Sequence, residues 1–265
     1  MGEAKKIIVK PISSTDANKI IKRLHYSGKI CCNSQLHFGV FVDNRCGGAL
    51  QFGPSLDKRK MLNLVSGTLW NEFLELNRLS LADWLPRNSE SRAIAYALKF
   101  IKKNYPWIKW IISFADGTQC GDGTIYRASG FKLIKIKKNT ELWKLDTGEI
   151  LHAHTLDMTS FPGQRGIETR KAPEIMQLTK GASSPRKFLE LKNIKYAVLS
   201  GYQLLYIKFL KTEFENNLTV PVLPFSDIDK LGAGMYKGVM RGKQAIGSDQ
   251  DISGGAAPTA TLQNI

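Results

Sequence analysis

The chain has 265 residues, 43% hydrophobic and 23% charged, with a formal net charge of +15 at pH 7. That is the make-up of an ordinary soluble protein with one or two cores; no apolar run approaches the roughly 20 residues that cross a bilayer, and MGEAKKIIVKP has no signal-peptide core, so no membrane or secreted protein is expected and the compartment is the cytoplasm. Residues 211–265 hold five Lys/Arg against six acids, which leaves +16 on residues 1–210, a field suited to a polyanion such as nucleic acid.

Lys6–Lys10 predicts a first strand. Ser13-Ser14-Thr15-Asp16 offers N-caps for a helix, DANKIIKRLHY, whose Ile20, Ile21 and Leu24 share a face. LHFGVFV and GGALQFG flank Asp43-Asn44-Arg45 as a hairpin. A mixed connection over 55–70 precedes a strand at Phe73–Leu81, with Leu74, Leu76 and Arg78 on one face and Glu75, Asn77 and Leu79 on the other. Asn88 or Ser89 caps a helix over Arg92–Lys103, with Ile94, Ala97, Leu98 and Ile101 on its apolar stripe, and Pro106 stops it. Trp107–Phe114 has the continuous apolar character of a central strand, ending in Ser113-Phe114-Ala115-Asp116. A glycine-rich loop, a short helix at Thr124–Ser129 and an alternating strand at Phe131–Lys138 follow. A hairpin turning at Asp146-Thr147-Gly148 and a strand at Tyr202–Leu210 stand apart. Cys31, Cys32, Cys46 and Cys120 lack C-x-x-C spacing and are expected as reduced thiols.

The order β-α-β-β-β-α-β-α-β, with a strand running into a polar loop before a helix, resembles the GNAT acyltransferase fold. The expected class is therefore α/β (α+β): a GNAT-like mixed central sheet with helices on both faces, plus a C-terminal extension. Residues 1–158 are expected as the catalytic domain, 159–210 as a basic extension packed on the core and contacting DNA, and 211–265 as a loosely ordered tail. In GNAT proteins the loop opening this helix holds a pyrophosphate on backbone N–H groups. Here that loop is Arg87-Asn88-Ser89-Glu90-Ser91-Arg92, without the family's glycines. Arg87, Asn88, Ser89, Ser91 and Arg92 are the expected donor-binding residues, gripping phosphate by side chain. An acyl-CoA-like or other activated acyl donor is implied and its identity is left open.

A narrower set of blocks is similar to the Mom proteins of phage Mu-like viruses. It comprises His25-Tyr26-Ser27, Phe38-Gly39-Val40-Phe41, Glu75-Leu76-Asn77-Arg78-Leu79, Ser113-Phe114-Ala115-Asp116, Gly123-x-x-Tyr126-x-Ala128-x-Gly130-Phe131 and His152-Ala153-His154-Thr155-Leu156. The resemblance implies an enzyme that converts adenine N6 in DNA to a carbamoylmethyl form and shields phage DNA from host restriction, acting in the host cytoplasm.

Such chemistry needs a base and a polarised electrophile. Asp116 is the expected general base or base-edge acceptor, and Asn77 the expected partner of an adenine edge, with Arg78 beside it. Ser113 and Tyr126 are the expected hydrogen-bond donors to the donor group, and Tyr26, Phe114 or Tyr126 the platform for a flipped adenine, with His25 alongside. The nearest alternatives are an Asx-turn at Asp116, an internal salt bridge with Glu75 or a cap at Asn77-Arg78, and a core role for Tyr126. Arg165, Arg170, Lys171, Arg186 and Lys187 are the expected contacts to double-stranded DNA, with Lys102, Lys103, Lys132, Lys135 and Lys137 as the competing basic face. His152 and His154 alternate on a strand and would need His25 or Asp116 to complete a metal site, so no metal ligand set is assigned, iron included. The oligomeric state is left open, a dimer included. An N-acyltransferase for proteins or small amines, and a basic DNA-binding protein without catalysis, are the competing functions.

Overall fold

A computed structural model describes residues 3–153 and 185–241. Among them, β1 (Ile8–Pro11), α1 (Ser14–Leu24), the hairpin β2 (Leu36–Val42) and β3 (Arg45–Gly53), α2 (Lys58–Leu62), β4 (Phe73–Leu81), α3 (Ser89–Asn104), β5 (Trp110–Gly117), α4 (Thr124–Ala128) and β6 (Lys132–Lys138) follow in order. Then come β7 (Leu142–Leu145), β8 (Ile150–His152), α5 (Pro185–Leu191), β9 (Tyr196–Val198), β10 (Tyr202–Phe209), α6 (Ser226–Lys230), β11 (Met235–Tyr236) and β12 (Val239–Met240).

Local chemistry sets several boundaries. Ser13 accepts the Asp16 N–H at 3.1 Å and caps α1. Asp43 (φ 47°) and Asn44 (φ 62°) both take the left-handed conformation that a two-residue hairpin turn requires. β5 starts three residues later than the apolar run predicts, because Ile108 N–H turns back to Tyr105 O and Lys109 N–H bonds Glu72 O. The shift carries Asp116 into the strand instead of beyond its end.

The central sheet runs β1-β2-β3-β4-β5-β10-β6, antiparallel except for β4 and β5. On one face, Ile94, Ala97 and Ile101 of α3 pack with Leu50, Phe52, Leu76, Ile111 and Ala115. On the other, Ala17 and Ile21 of α1 pack on Ala49, and Met61 of α2 joins Phe73, Trp110 and Ile112. This mixed sheet with helices on both faces is the α/β architecture the sequence analysis expected.

The domain limits differ from expectation. β10 inserts between β5 and β6, so the sheet does not end at residue 158. The signal was hidden because the chain leaves β6 at Lys138, builds the small sheet β8-β7-β9 with α5, and returns only at Tyr202. Asn139 holds the neck of that excursion: its Nδ2 donates to Leu142 O and Leu199 O, and its Oδ1 accepts from the Glu141 and Leu142 N–H groups. The expected tail is structured over 211–241, where Ile228, Ala233 and Met235 are buried. Residues 242–265 lie outside the described residues.

Asp122, 1% exposed, fixes the end of that segment. It accepts from Arg127 Nη2 at 3.0 Å, Thr124 Oγ1 at 3.0 Å and Met235 N at 3.3 Å, and pairs with Arg241. Removing one member of a buried pair leaves its partners unsatisfied, at a cost of about 3 kcal/mol. Asp122→Ala is therefore expected to lower the unfolding free energy by about 3 kcal/mol and expose residues 235–241 to fast amide exchange; stability and exchange unchanged from wild type would contradict this role.

Candidate active site

β4 and β5 pair through Phe73–Trp110, Leu74–Ile111 and Glu75–Ile112 and then part. At the next position the Ser113 hydroxyl donates to Leu76 O at 3.2 Å, a side-chain bridge where a backbone bond would stand. On the other edge of β4, Leu76 faces Phe52 and Arg78 faces Gln51, so Asn77 is the extra residue of a β-bulge. A bulge bends the strand and re-aims its side chains. Bulge and parting together open a cleft between the C-terminal halves of β4 and β5.

Four of the six blocks picked out in the sequence, those of His25-Tyr26, Glu75–Leu79, Ser113–Asp116 and Gly123–Phe131, meet there. Tyr26, which follows α1, donates its hydroxyl to Asp116 Oδ2 at 2.9 Å across 90 residues of chain. His25 stacks on Tyr26 with ring centroids 4.3 Å apart. His25 Nδ1 accepts from the Ser27 N–H at 3.2 Å, so its proton sits on Nε2. Burial first, and the Arg78 charge second, lower its pKa to about 4. Arg78 is held by Nε to Lys29 O at 3.2 Å and by Nη1 to Asn77 O at 2.7 Å.

Asp116, the expected general base, is engaged on both oxygens. Among the described residues its Oδ1 accepts from the Thr118 N–H, the Thr118 hydroxyl and Gln203 Nε2, and its Oδ2 from Tyr26 and Gln119 Nε2. A carboxylate offers about four lone-pair sites. Five donors surround it, among them the Thr118 N–H of an Asx turn and the Tyr26 hydroxyl. Gln203 reaches it because Gln203 pairs with Asp116 across β10 and β5, a contact local sequence spacing does not show.

Asn77 is 8% exposed and likewise engaged. Its Oδ1 accepts from Ser34 at 3.1 Å and its Nδ2 donates to Pro54 O at 3.3 Å, which takes up one of its two lone pairs and one of its two N–H donors. It also hydrogen-bonds Glu75, a residue the sequence analysis weighed only as a partner for Arg78. Glu75 sits where β4 and β5 part. Burial raises its pKa, opposed by hydrogen bonds from Ser55 and Asn77 and by the Arg78 charge. An acid among leucines in a strand is the signal that could have found it.

Tyr126 is buried against Phe131 and Tyr206, so it cannot stack on a base. Its hydroxyl bonds Ser113, and burial pushes its pKa up to about 12. Tyr26 and Phe114 keep exposed rings for stacking. Cys120 lies near this group, its thiol pKa raised by burial and by Asp116. Gly123 before Tyr126 has φ 85°, and a Cβ there would enter the Tyr206 ring.

The donor loop lies at the start of α3. Asn88 takes φ 70° in place of a glycine and gives no side-chain cap. The Glu90 and Ser91 N–H groups have no partner among the described residues. Ser89 is buried, its hydroxyl on Pro86 O at 2.6 Å, and the Ser91 hydroxyl is on Asn88 O at 3.2 Å. These two hydroxyls therefore face the backbone and not a ligand. Arg92 Nε is buried without a partner, 5.5 Å separating the guanidinium from the Tyr96 ring centroid.

Arg186 and Lys187 are exposed on α5, whose Leu189 packs with Trp143, Leu145 and Leu151 of the small sheet. Arg165, Arg170, Lys171 and His154 lie outside the described residues. His152 is 3.1 Å from Glu141 on the small sheet. Lys132 and Lys137 are paired with Glu215 and Glu141. No helix among the described residues is long and apolar enough to cross a membrane.

The family model of the Mom protein family matches residues 6–227. The methylcarbamoylase mom of Escherichia phage Mu is 42% identical over 172 residues, 64% of this chain and 70% of that protein. Among solved structures, a GNAT family acetyltransferase from Elizabethkingia anophelis with acetyl-CoA bound aligns at 11% identity over 77% of this chain and 98% of its own, with a TM-score of 0.36. The ribosomal-protein-S18-alanine N-acetyltransferase of Escherichia coli aligns at 10% identity over 79% and 97%, with a TM-score of 0.40.

A neutral His25 has a direct consequence. Its folded pKa lies below the ordinary 6.5, so the unfolded chain takes up the proton first as pH falls. The stability His25 contributes is full above pH 6.5 and is lost as pH falls toward about 4. An NMR titration of its ring is expected to show a midpoint near 4, rising in Arg78→Met; a midpoint near 6.5 in the native protein would contradict the geometry.

Proposed function

This chain belongs to the Mom protein family, and from that premise we propose that it modifies phage DNA by transferring a small acyl-derived group, of the carbamoylmethyl type, to N6 of adenine. The modification would protect that DNA from restriction in the host cytoplasm. The observation that carries the reading is convergence: Tyr26, Glu75, Arg78, Ser113, Asp116 and Tyr126, drawn from blocks scattered over 100 residues, surround one cleft where β4 and β5 part.

The donor side fits an anion. The Glu90 and Ser91 N–H groups and the orphaned Arg92 Nε converge on the start of a helix 16 residues long, where the backbone dipole favours negative charge. An acyl-CoA-like or other phosphate-bearing donor suits that loop. Asn88 supplies the left-handed turn that the family loop obtains from glycine.

On the acceptor side, adenine N6 is a weak nucleophile that must lose a proton as the new bond forms. Glu75, its carboxyl pKa raised by burial, is a stronger base than an exposed carboxylate and takes that proton. Tyr126 stays un-ionised and holds Ser113, and the Arg78 charge lies nearby to stabilise the oxygen or leaving group that keeps the electron pair as the bond to the donor's carrier breaks. Tyr26, braced by Asp116, offers its ring to an extruded adenine. Two charges suit the approach of DNA: residues 1–138 hold 23 Lys/Arg against 10 acids, and the excursion over 139–201 nine against seven. The extension expected to contact DNA, 159–210, holds nine Lys/Arg against three acids, so it shares that attraction with the sheet domain.

Nucleosides from the DNA of cells expressing the chain are expected to contain a mass-shifted deoxyadenosine, reduced about tenfold by Arg92→Gln, as loss of one charge-assisted contact implies. Unmodified deoxyadenosine beside soluble protein would overturn the proposal.

A further inference from the structure

We propose that the hairpin Met235–Met240 is a wedge that enters duplex DNA beside the cleft and holds it open while an adenine turns inward; this rests on the DNA-modifying reading above. The hairpin closes on two residues, Lys237 (φ 47°) and Gly238 (φ 78°), both left-handed, which makes its tip narrow. Tyr236 and Val239 pair directly across it. They are 59% and 67% exposed, so among the described residues the tip presents an aromatic ring and a branched aliphatic side chain to solvent. Lys237 between them is a cation for a phosphate, its side chain 71% exposed.

The tip is braced against the loop that follows Asp116. Gly238 N–H donates to Cys120 O at 2.8 Å, and Cys120 N–H donates to Asp116 O at 3.0 Å. At the root, Met235 is buried with its N–H on Asp122, and Arg241 pairs with the same carboxylate. Lys237 Nζ comes within 3.9 Å of Asp83 Oδ1, ahead of the donor loop. The hairpin thus bridges the Asp116 side of the cleft and the segment leaving β4. A stiff, narrow finger with an exposed ring and a cation, on the rim of a strongly basic domain, has the chemistry that fits between unstacked bases. A flat cover over the donor would not need an apolar tip turned to solvent.

The test is permanganate oxidation of thymines in a mixed-sequence duplex saturated with full-length protein, which needs neither the donor nor a known sequence context. Wild type is expected to create hyper-reactive thymines opposite displaced adenines. Tyr236→Ala is expected to reduce that signal at least fivefold at equal occupancy, judged by gel retardation, and Tyr236→Trp to retain it. A Tyr236→Ala pattern equal to wild type, no reactive thymine at full occupancy, or failure to bind duplex would overturn the wedge. Deoxyadenosine masses from wild-type cells are read separately. Modified adenine with unreactive thymines sinks the wedge alone, whereas absent modification sinks the enzymatic reading.

Discussion

Where β4 and β5 stop sharing backbone hydrogen bonds, the Ser113 hydroxyl bonds Leu76 O and also meets Tyr126. A parallel pair that continued past Glu75–Ile112 would close the sheet and leave no cleft. The Asn77 bulge makes the parting stable by using the extra residue to tie down Ser34, Pro54 and Glu75. The unpaired backbone is thus compensated by side chains, which is the condition for keeping a gap in a buried sheet. Gly53 belongs to the same arrangement, since a Cβ there would lie 2.6 Å from Asn33 O and 2.8 Å from Asn77 Oδ1.

The cleft is electrostatically divided. Asp116 is saturated by donors and acts through Tyr26. Glu75 has fewer partners and feels burial most, so its proton affinity rises. His25 and Tyr126 both remain neutral near pH 7. Arg78 is then the fixed positive charge facing all of them. On the proposed reading Asp116 is the anchor and Glu75 the base, a division that rests on burial and donor count and not on residue type.

Much of the sheet was legible in the sequence because each cue was local. The Asp43-Asn44 turn, the Ser13 cap, the α3 stripe and the alternation of β6 act over a few residues. The placement of β10 was not legible, because pairing with β5 is decided across 87 residues, as between Gln203 and Asp116. The start of β5 was misjudged because Trp107 and Ile108 are apolar but sit in a turn. At the site, the motif blocks supplied Tyr26, Asn77, Ser113, Asp116 and Tyr126, which the structure brings together, while the partners Gln203 of Asp116 and Ser34 and Pro54 of Asn77 come from distant segments and were not legible. The buried Asp122 network escaped notice because Arg241 lies 119 residues away.

The central claim is that Glu75, and not Asp116, takes the proton. Deoxyadenosine modification in cells producing equal soluble amounts of Glu75→Gln and Asp116→Asn tests it most directly. Loss of at least 100-fold in Glu75→Gln is expected, in line with a general base, against about tenfold in Asp116→Asn, which keeps its shape and part of its accepting capacity. Modification by Glu75→Gln at more than a tenth of the wild-type level would contradict the account.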